Sequence, residues 1–265
     1  MLAKRIIPVV LARGQQAVKG RGFDSWRSVG QLRQAVRVYE MRGVDELILL
    51  DISATPSGKE PDFAFVRGYI GGKLLSQCKW GETPDWGCSM PVTVGGGVRT
   101  LDHFRQLLTN GADKVAINTA AIETPDLISA AANKFGAQAV VVSIDVKDGE
   151  VFVGCGKNPT SLDPVSWAKE VQSRGAGEIL LNSVDRDGTL SGYDLDLVES
   201  VSGAVSIPVI ACGGAGTYQH FKEALDAGAH AVAAGAIWSF TDSTPAEAAD
   251  YLASQGIPVR RKVAA

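Results

Sequence analysis

The chain repeats itself, and that repeat limits the folds open to it more than any other feature. PVTVGGGVRTLDHFRQLLTNGADKVAINTAAI, beginning at Pro91, matches PVIACGGAGTYQHFKEALDAGAHAVAAGAI, beginning at Pro208, without a gap. Pro91 falls on Pro208, Gly96 on Gly213, Thr100 on Thr217, Phe104 on Phe221 and Gly111 on Gly228. GVDELILL from Gly43 pairs in the same way with GAGEILLN from Gly175. The molecule is therefore built from two like halves. A solenoid would need a shorter period and more copies.

Within each half, short β-branched apolar runs alternate with longer amphipathic stretches. The runs are Arg5–Val10, Glu46–Leu50, Val92–Val94, Lys114–Ile117, Ala139–Ile144, Glu178–Leu181, Val209–Ala211 and Ala231–Ala233. Continuous apolar runs of this kind suit strands covered on both faces, as in parallel sheets. His103, Phe104, Leu107 and Leu108 between them have helical spacing, as do Phe221 and Leu225. Eight βα units predict a single closed (βα)8 TIM barrel over residues 1–265, a normal size for one such domain. One stretch stands outside the repeat: residues 76–90, SQCKWGETPDWGCSM, form an unusually long αβ loop. An αβ loop lies at the N-terminal ends of the strands, on the barrel's floor.

The chain has 265 residues, 45% apolar and 21% charged, with a net charge of −3. That balance gives no reason to expect nucleic acid or a membrane as partner. The N-terminal MLAKRIIPVV has no long apolar signal core and is too short to span a bilayer. Cys78, Cys88, Cys155 and Cys212 match no zinc or redox spacing. Free thiols in a reducing cytoplasm are the expectation, with a Cys78–Cys88 bridge as the alternative. No metal site and no cofactor is expected.

Gly95–Gly97 and Gly213–Gly214 directly follow the third and seventh runs and lead into helices. Glycine lets backbone approach an anion, and N–H groups at a helix N-terminus point toward it. Asn118 and Thr119 after the fourth run, and Ala234 and Gly235 after the eighth, complete two equivalent clusters on opposite sides of one mouth. Tight βα turns alone would also use glycine, but duplication of the whole cluster favours phosphate binding. Two such sites fit a small molecule with a phosphate at each end.

The segments MLAKRIIP, DELILLDI, TVGGGV, GADKVAINTAA, AVVVSID, GAGEILL, DRDGTLSGYD, GGAG and GIPVR, in this order, resemble the HisF family over essentially the whole chain. Members of that family are the cyclase subunits of imidazole glycerol phosphate synthase. They take ammonia from a HisH-like glutaminase and join its nitrogen to a bis-phosphorylated ribulosyl intermediate of histidine synthesis. The resemblance implies that Asp145 is a catalytic aspartate, since a carboxylate at a strand's C-terminal end can carry protons. A capping or loop-anchoring aspartate is the plainer alternative. It implies that Lys19 lies on a mobile first loop and helps to hold phosphate. Asp51, Asp185, Asp187 and Gly188 fall at the mouth, where the three aspartates suit recognition of hydroxyl or protonated nitrogen and equally suit loop structure.

Arg5, Glu46, Lys114 and Glu178 match a ring of alternating charge that gates ammonia at the family's barrel floor. Four solvated charges at strand starts would be the bland reading; buried charges must pair. Asp113 matches a residue facing the glutaminase. Trp80 and Trp86, of a type enriched in interface hot spots, are expected either to widen that interface or to pack on the barrel itself.

The resemblance fails at one place that matters. The family's second catalytic aspartate, at the end of the first strand, is Leu11 here, and the repeat aligns Leu11 with Asp145. Leucine carries no proton. Cys212 replaces a family serine, the first loop lacks the family's acidic motif, and the segment after Asp145 also departs. RIIPVVL and SFTDSTP resemble HisF paralogues of bacterial surface-polysaccharide pathways, in which ammonia is thought to pass to a third, amidating synthetase. Three functions follow as alternatives. The chain delivers ammonia for glutamine-dependent amidation of such a sugar; or it is an authentic histidine-pathway cyclase; or it is a scaffold that activates a glutaminase and turns nothing over.

Overall fold

The computed structural model describes residues 3–71 and 88–260. Trp80, Trp86, Cys78 and most of the 76–90 stretch lie outside the described residues.

Eight parallel strands close on themselves. In chain order they are β1 (Arg5–Arg13), β4 (Leu47–Asp51), β5 (Val92–Gly95), β6 (Lys114–Ile117), β7 (Val140–Lys147), β10 (Glu178–Ser183), β11 (Val209–Cys212) and β12 (Ala231–Ala234). Each pairs with the next, and β12 returns to β1 through Arg5↔Ala231 to Pro8↔Ala234. The expected barrel is present. Seven of its strands run one to three residues further at their C-terminal ends than the apolar runs alone mark, because mouth residues continue the ladders, and β6 ends at Ile117 with its run.

Two hairpins were not foreseen. β2 (Gln16–Arg21) and β3 (Asp24–Gln31) extend β1, and β8 (Glu150–Val153) and β9 (Asn158–Pro159) extend β7. Their registers coincide. Leu11 faces Val18 and Arg13 faces Gln16 in the first; Asp145 faces Phe152 and Lys147 faces Glu150 in the second. The alignment of Leu11 with Asp145 is thus a backbone equivalence as well as a sequence one. Lys19 consequently sits in a paired strand rather than an irregular loop.

Apolar burial divides into two layers. Inside the barrel, Ile7, Ile48, Val141, Leu180, Ile210 and Ala233 pack against one another, all at most 1% exposed. Outside it, helices α3 (Leu101–Thr109) and α8 (Tyr218–Asp226) cover the strands with the equivalent Phe104 and Phe221, both fully buried. Each such ring stabilises the fold by roughly 1.5–3 kcal/mol. Helix starts are specified locally. Thr100 accepts from His103 N at 3.2 Å, and Thr244 forms a capping box with Glu247. The imidazoles of His103 and His220 play the same part in each half, accepting at Nδ1 from Arg99 N and Gly216 N. Each imidazole thus braces the turn that leads into its own helix. His230, just before β12, accepts from Val209 N on the floor side.

Among the described residues, no helix is long and apolar enough to cross a membrane. Cys88 carries a free thiol whose Sγ donates to Glu40 at 2.8 Å.

Candidate active site

The four floor residues meet. Arg5 donates from Nη1 to Glu46 Oε2 at 2.6 Å and from Nη2 to Glu178 Oε1 at 2.7 Å. Lys114 Nζ reaches Glu46 Oε1 at 3.0 Å and Glu178 Oε2 at 2.8 Å. Each cation therefore bridges both glutamates, and each glutamate receives both cations. Glu46 is also held by the Thr93 hydroxyl at 2.9 Å. Burial opposes the Arg5 charge, but Glu178 and Glu46 outweigh it and raise its pKa. Two positive and two negative groups sum to zero, so the ring closes the lumen without leaving an uncompensated charge. Asp113, exposed beside Lys114, accepts from Val92 N at 2.8 Å and so pins the start of β5.

At the opposite end the mouth holds two cavities. The larger, about 280 Å³, contains Asp51, Gly96, Gly97, Asn118, Thr119 and Asp145 in its wall. The smaller, about 50 Å³, contains Lys19, Asp187, Gly188, Gly213, Gly214, Ala234 and Gly235. Leu11, Phe23, Leu50 and Asn182 line both and form the divide between them. The two predicted glycine clusters thus stand on opposite sides of one mouth.

Their close packing explains the residue types. A Cβ on Gly96 would stand 2.3 Å from Asp51 O, and one on the equivalent Gly213 would stand 2.5 Å from Ser183 O; both glycines have positive φ. In the first cluster the short helix α4 (Thr119–Glu123) starts without a side-chain cap; Asn118 O takes the N–H of Ala121 at 3.0 Å, and the Asn118 side chain caps neither Thr119 N nor Ala120 N. In the second, α9 (Ala236–Phe240) starts the same way at Gly235. These are the orphan donors that an anion can satisfy.

Asp145 is buried, at 6% exposure. Asn182 Nδ2 donates to its Oδ1 at 2.7 Å and Ser143 Oγ donates to the same oxygen at 2.9 Å. Burial pushes its carboxyl up to about 6, against the pull of these two hydrogen bonds and with a small further push from Asp187. Such a group exchanges protons near neutral pH. On the divide itself, Leu11 offers only methyl groups at the equivalent position.

Lys19 is buried with its ammonium donating to Val9 O and lying over Gly235, where a Cβ would come within 2.2 Å of Nζ. Burial lowers its pKa to about 8, with Asp187 opposing the shift. Burial likewise raises Asp187, which accepts from Phe23 N at 3.4 Å. Gly22 N donates to Asp187 O at 3.0 Å, and a Cβ on Gly188 would meet Gly20 O at 2.3 Å. The β2–β3 hairpin is therefore docked on the loop after β10, which sets Phe23 and Trp26 into the mouth.

Two predicted residues do other work. Asp51 stands at the larger cavity but its Oδ1 accepts from Ser53 N and Oγ at 2.8 and 2.7 Å. Asp185 is exposed, lines neither cavity and accepts from Asp148 N at 2.8 Å, so it supports the β7–β8 turn and is not brought to the site. Asp148 there takes a positive φ of 51°, which needs outside support. Sequence reasoning missed Ser143 and Asn182. The period of two along β7 puts residues 143 and 145 on one face, and Asn182 is the register partner of Asp145. Cys155 and Cys212 are raised by burial to about 11 and about 12, so both stay as neutral thiols at physiological pH.

Comparison with known proteins agrees with this geometry. The histidine biosynthesis protein family matches residues 5–243. The chain is 44% identical to imidazole glycerol phosphate synthase subunit HisF of Dictyoglomus thermophilum, over 98% of this chain and 99% of that one. Neither comparison supports the expected role in surface-polysaccharide sugar amidation. By full-length similarity, barrel topology and the order of its motifs, the chain belongs to the histidine biosynthesis protein family, as a HisF homologue.

Proposed function

We propose that this chain is the ammonia-using, cyclase-type subunit of an imidazole glycerol phosphate synthase, supplied by a HisH-like glutaminase docked on the floor. The observation that carries the reading is the alignment of three features along one axis. A neutral charge ring closes the floor, an apolar lumen lies above it, and a buried carboxylate stands at the end of that lumen between two glycine-rich anion cradles. Ammonia is small and neutral enough to cross an apolar lumen; a bis-phosphorylated substrate would anchor one phosphate on Gly96, Gly97, Asn118 and Thr119 and the other on Gly213, Gly214, Gly235 and Lys19.

The chemistry falls to Asp145. As ammonia adds to the substrate's carbonyl carbon, a C–N bond forms and the carbonyl π-electrons move to oxygen. The carboxylate carries two protons in turn from nitrogen to that oxygen, which leaves as water, and ends in its starting state. A carboxyl with its pKa near 6 both takes and returns protons at neutral pH.

One observation favours a second reading. Leu11 stands where the family pattern has a second catalytic aspartate, and losing a general acid–base costs roughly 10²–10⁴-fold in rate. On that reading the barrel conducts ammonia and binds a phosphorylated sugar, and a third synthetase completes an amidation.

The two are separated by incubating the purified chain and its Leu11→Asp variant with the bis-phosphorylated ribulosyl substrate and free ammonium at alkaline pH, where no glutaminase is needed. Turnover by the native chain supports the cyclase. Tight substrate binding without turnover, relieved by Leu11→Asp, would displace it in favour of ammonia delivery.

A further inference from the structure

We infer that Ser143 and Asn182 are positioning residues that occupy one oxygen of Asp145 and reserve the other for proton transfer. The inference rests on the reading of Asp145 as the acid–base group. Both donors converge on Oδ1, at 2.9 Å from Ser143 and 2.7 Å from Asn182. Asn182 Nδ2 also donates to Ser143 Oγ at 3.0 Å, which turns the hydroxyl hydrogen toward the carboxylate. Oδ2 accepts no hydrogen bond from the described residues, while Asp145 lines the larger cavity. A proton therefore arrives at, and departs from, Oδ2.

The trio is held by the sheet rather than by a loop. Residues 143 and 145 project from the same face of β7, and Asn182 pairs directly with Asp145 on β10. All three are buried, at 7%, 6% and 5% exposure. The equivalent first-half trio is Val9, Leu11 and Leu50, with Leu11 paired to Leu50 in the matching register. No side-chain donor exists there, so only the second half of the mouth is built to hold a carboxylate.

Other titratable groups face the same space. Asp187 beyond β10 pushes the Asp145 pKa up, and Cys155 beyond β8 and Cys212 at the end of β11 interact with it electrostatically. Asp51, Arg99 and Glu123 share the cavity wall. A shift caused by a Ser143 or Asn182 variant has to be read with these groups unchanged.

The experiment is a ¹³C-carboxyl NMR titration of Asp145 in the full chain, assigned by difference from Asp145→Asn, for the native protein, Ser143→Ala, Ser143→Thr and Asn182→Ala. Each alanine variant removes a donor to the charged form, so the midpoint should rise by about one to two pH units. The acidic limb of the pH–rate profile with free ammonium should move with it, and Ser143→Thr should restore both. Midpoints that stay put in the alanine variants would overturn the inference. If Asn182→Ala fails to fold, Ser143→Ala carries the test alone. Full turnover by Asp145→Asn would instead remove the acid–base reading beneath it, and the titration distinguishes that failure from the first.

Discussion

The two halves of the barrel share a backbone and differ in chemistry. Their hairpins pair in the same register, their paired glycines sit against the same carbonyls, and Phe104 and Phe221 fill matching sites. At the mouth the likeness stops. The second half presents Ser143, Asp145 and Asn182, hydrogen-bonded to one another; the first presents Val9, Leu11 and Leu50. The first half instead contributes Lys19, laid over Gly235 of the other half. A repeated scaffold thus keeps its glycine clusters twice but its buried carboxylate once. Backbone geometry is duplicated because packing demands it, whereas a proton carrier need exist in one copy only.

Variants can break this asymmetry in a graded way. Asp145→Asn should show the largest effect, a loss of about 10²–10⁴-fold in ammonium-dependent turnover, while Leu11→Val leaves turnover near native. Steady-state assays at saturating ammonium decide it, and equal losses in the two variants would remove the functional distinction between the halves.

The floor comes next. Glu46 is the more buried of the two glutamates and holds three partners. Glu46→Ala should cost about 3–5 kcal/mol in urea unfolding, because it leaves two buried cations to share the one carboxylate of Glu178. Glu178→Ala, at a more exposed position, should cost less. The reverse order would show that the halves are not loaded as the geometry implies.

The pH dependence of stability has a definite sign. The Asp145 carboxyl has a folded-state pKa above its unfolded value, so folding takes up a proton between the two. Its contribution declines as pH rises from about 4 to about 6 and then stays level. Asp145→Asn should therefore gain up to about 2–3 kcal/mol relative to native at pH 8, and nothing below pH 4, in chemical denaturation at both values. Leu11→Asp should be destabilised at neutral pH, since no donors await it. Adding Val9→Ser and Leu50→Asn should recover part of that loss, the smallest change foreseen and the sharpest test of the comparison.

Much of this was legible in the sequence. The barrel strands announce themselves because burial on both faces requires continuous apolar runs, and the floor ring was readable only through the family resemblance, since all four matching positions hold the matching charge. The hairpins were not. β3 is exposed along nearly its whole length and carries no buried face to impose a period. Ser143 and Asn182 were hidden for the opposite reason: they lie inside otherwise apolar strands, and their meaning depends on which residue of the neighbouring strand they oppose. Asp185 looked like Asp187, two residues away, and only the path of the loop separates the one that enters the mouth from the one that leaves it.

The floor ring also bears on how the halves recognise one another. The alignment that places Leu11 on Asp145 places Arg5 on Ala139, and the one that joins Pro91 to Pro208 places Lys114 on Ala231. Only the glutamates, Glu46 and Glu178, recur in both halves. Severed between α5 (Asp126–Phe135) and β7, the first fragment would keep two cations and one anion of the ring, and the second would keep a lone anion. Two copies of the first fragment would repel at the centre of a shared floor, and two copies of the second would leave both glutamates without a counter-charge. Only the unlike pair balances. The ring is in this sense a mating code: it makes the two like halves prefer each other over themselves.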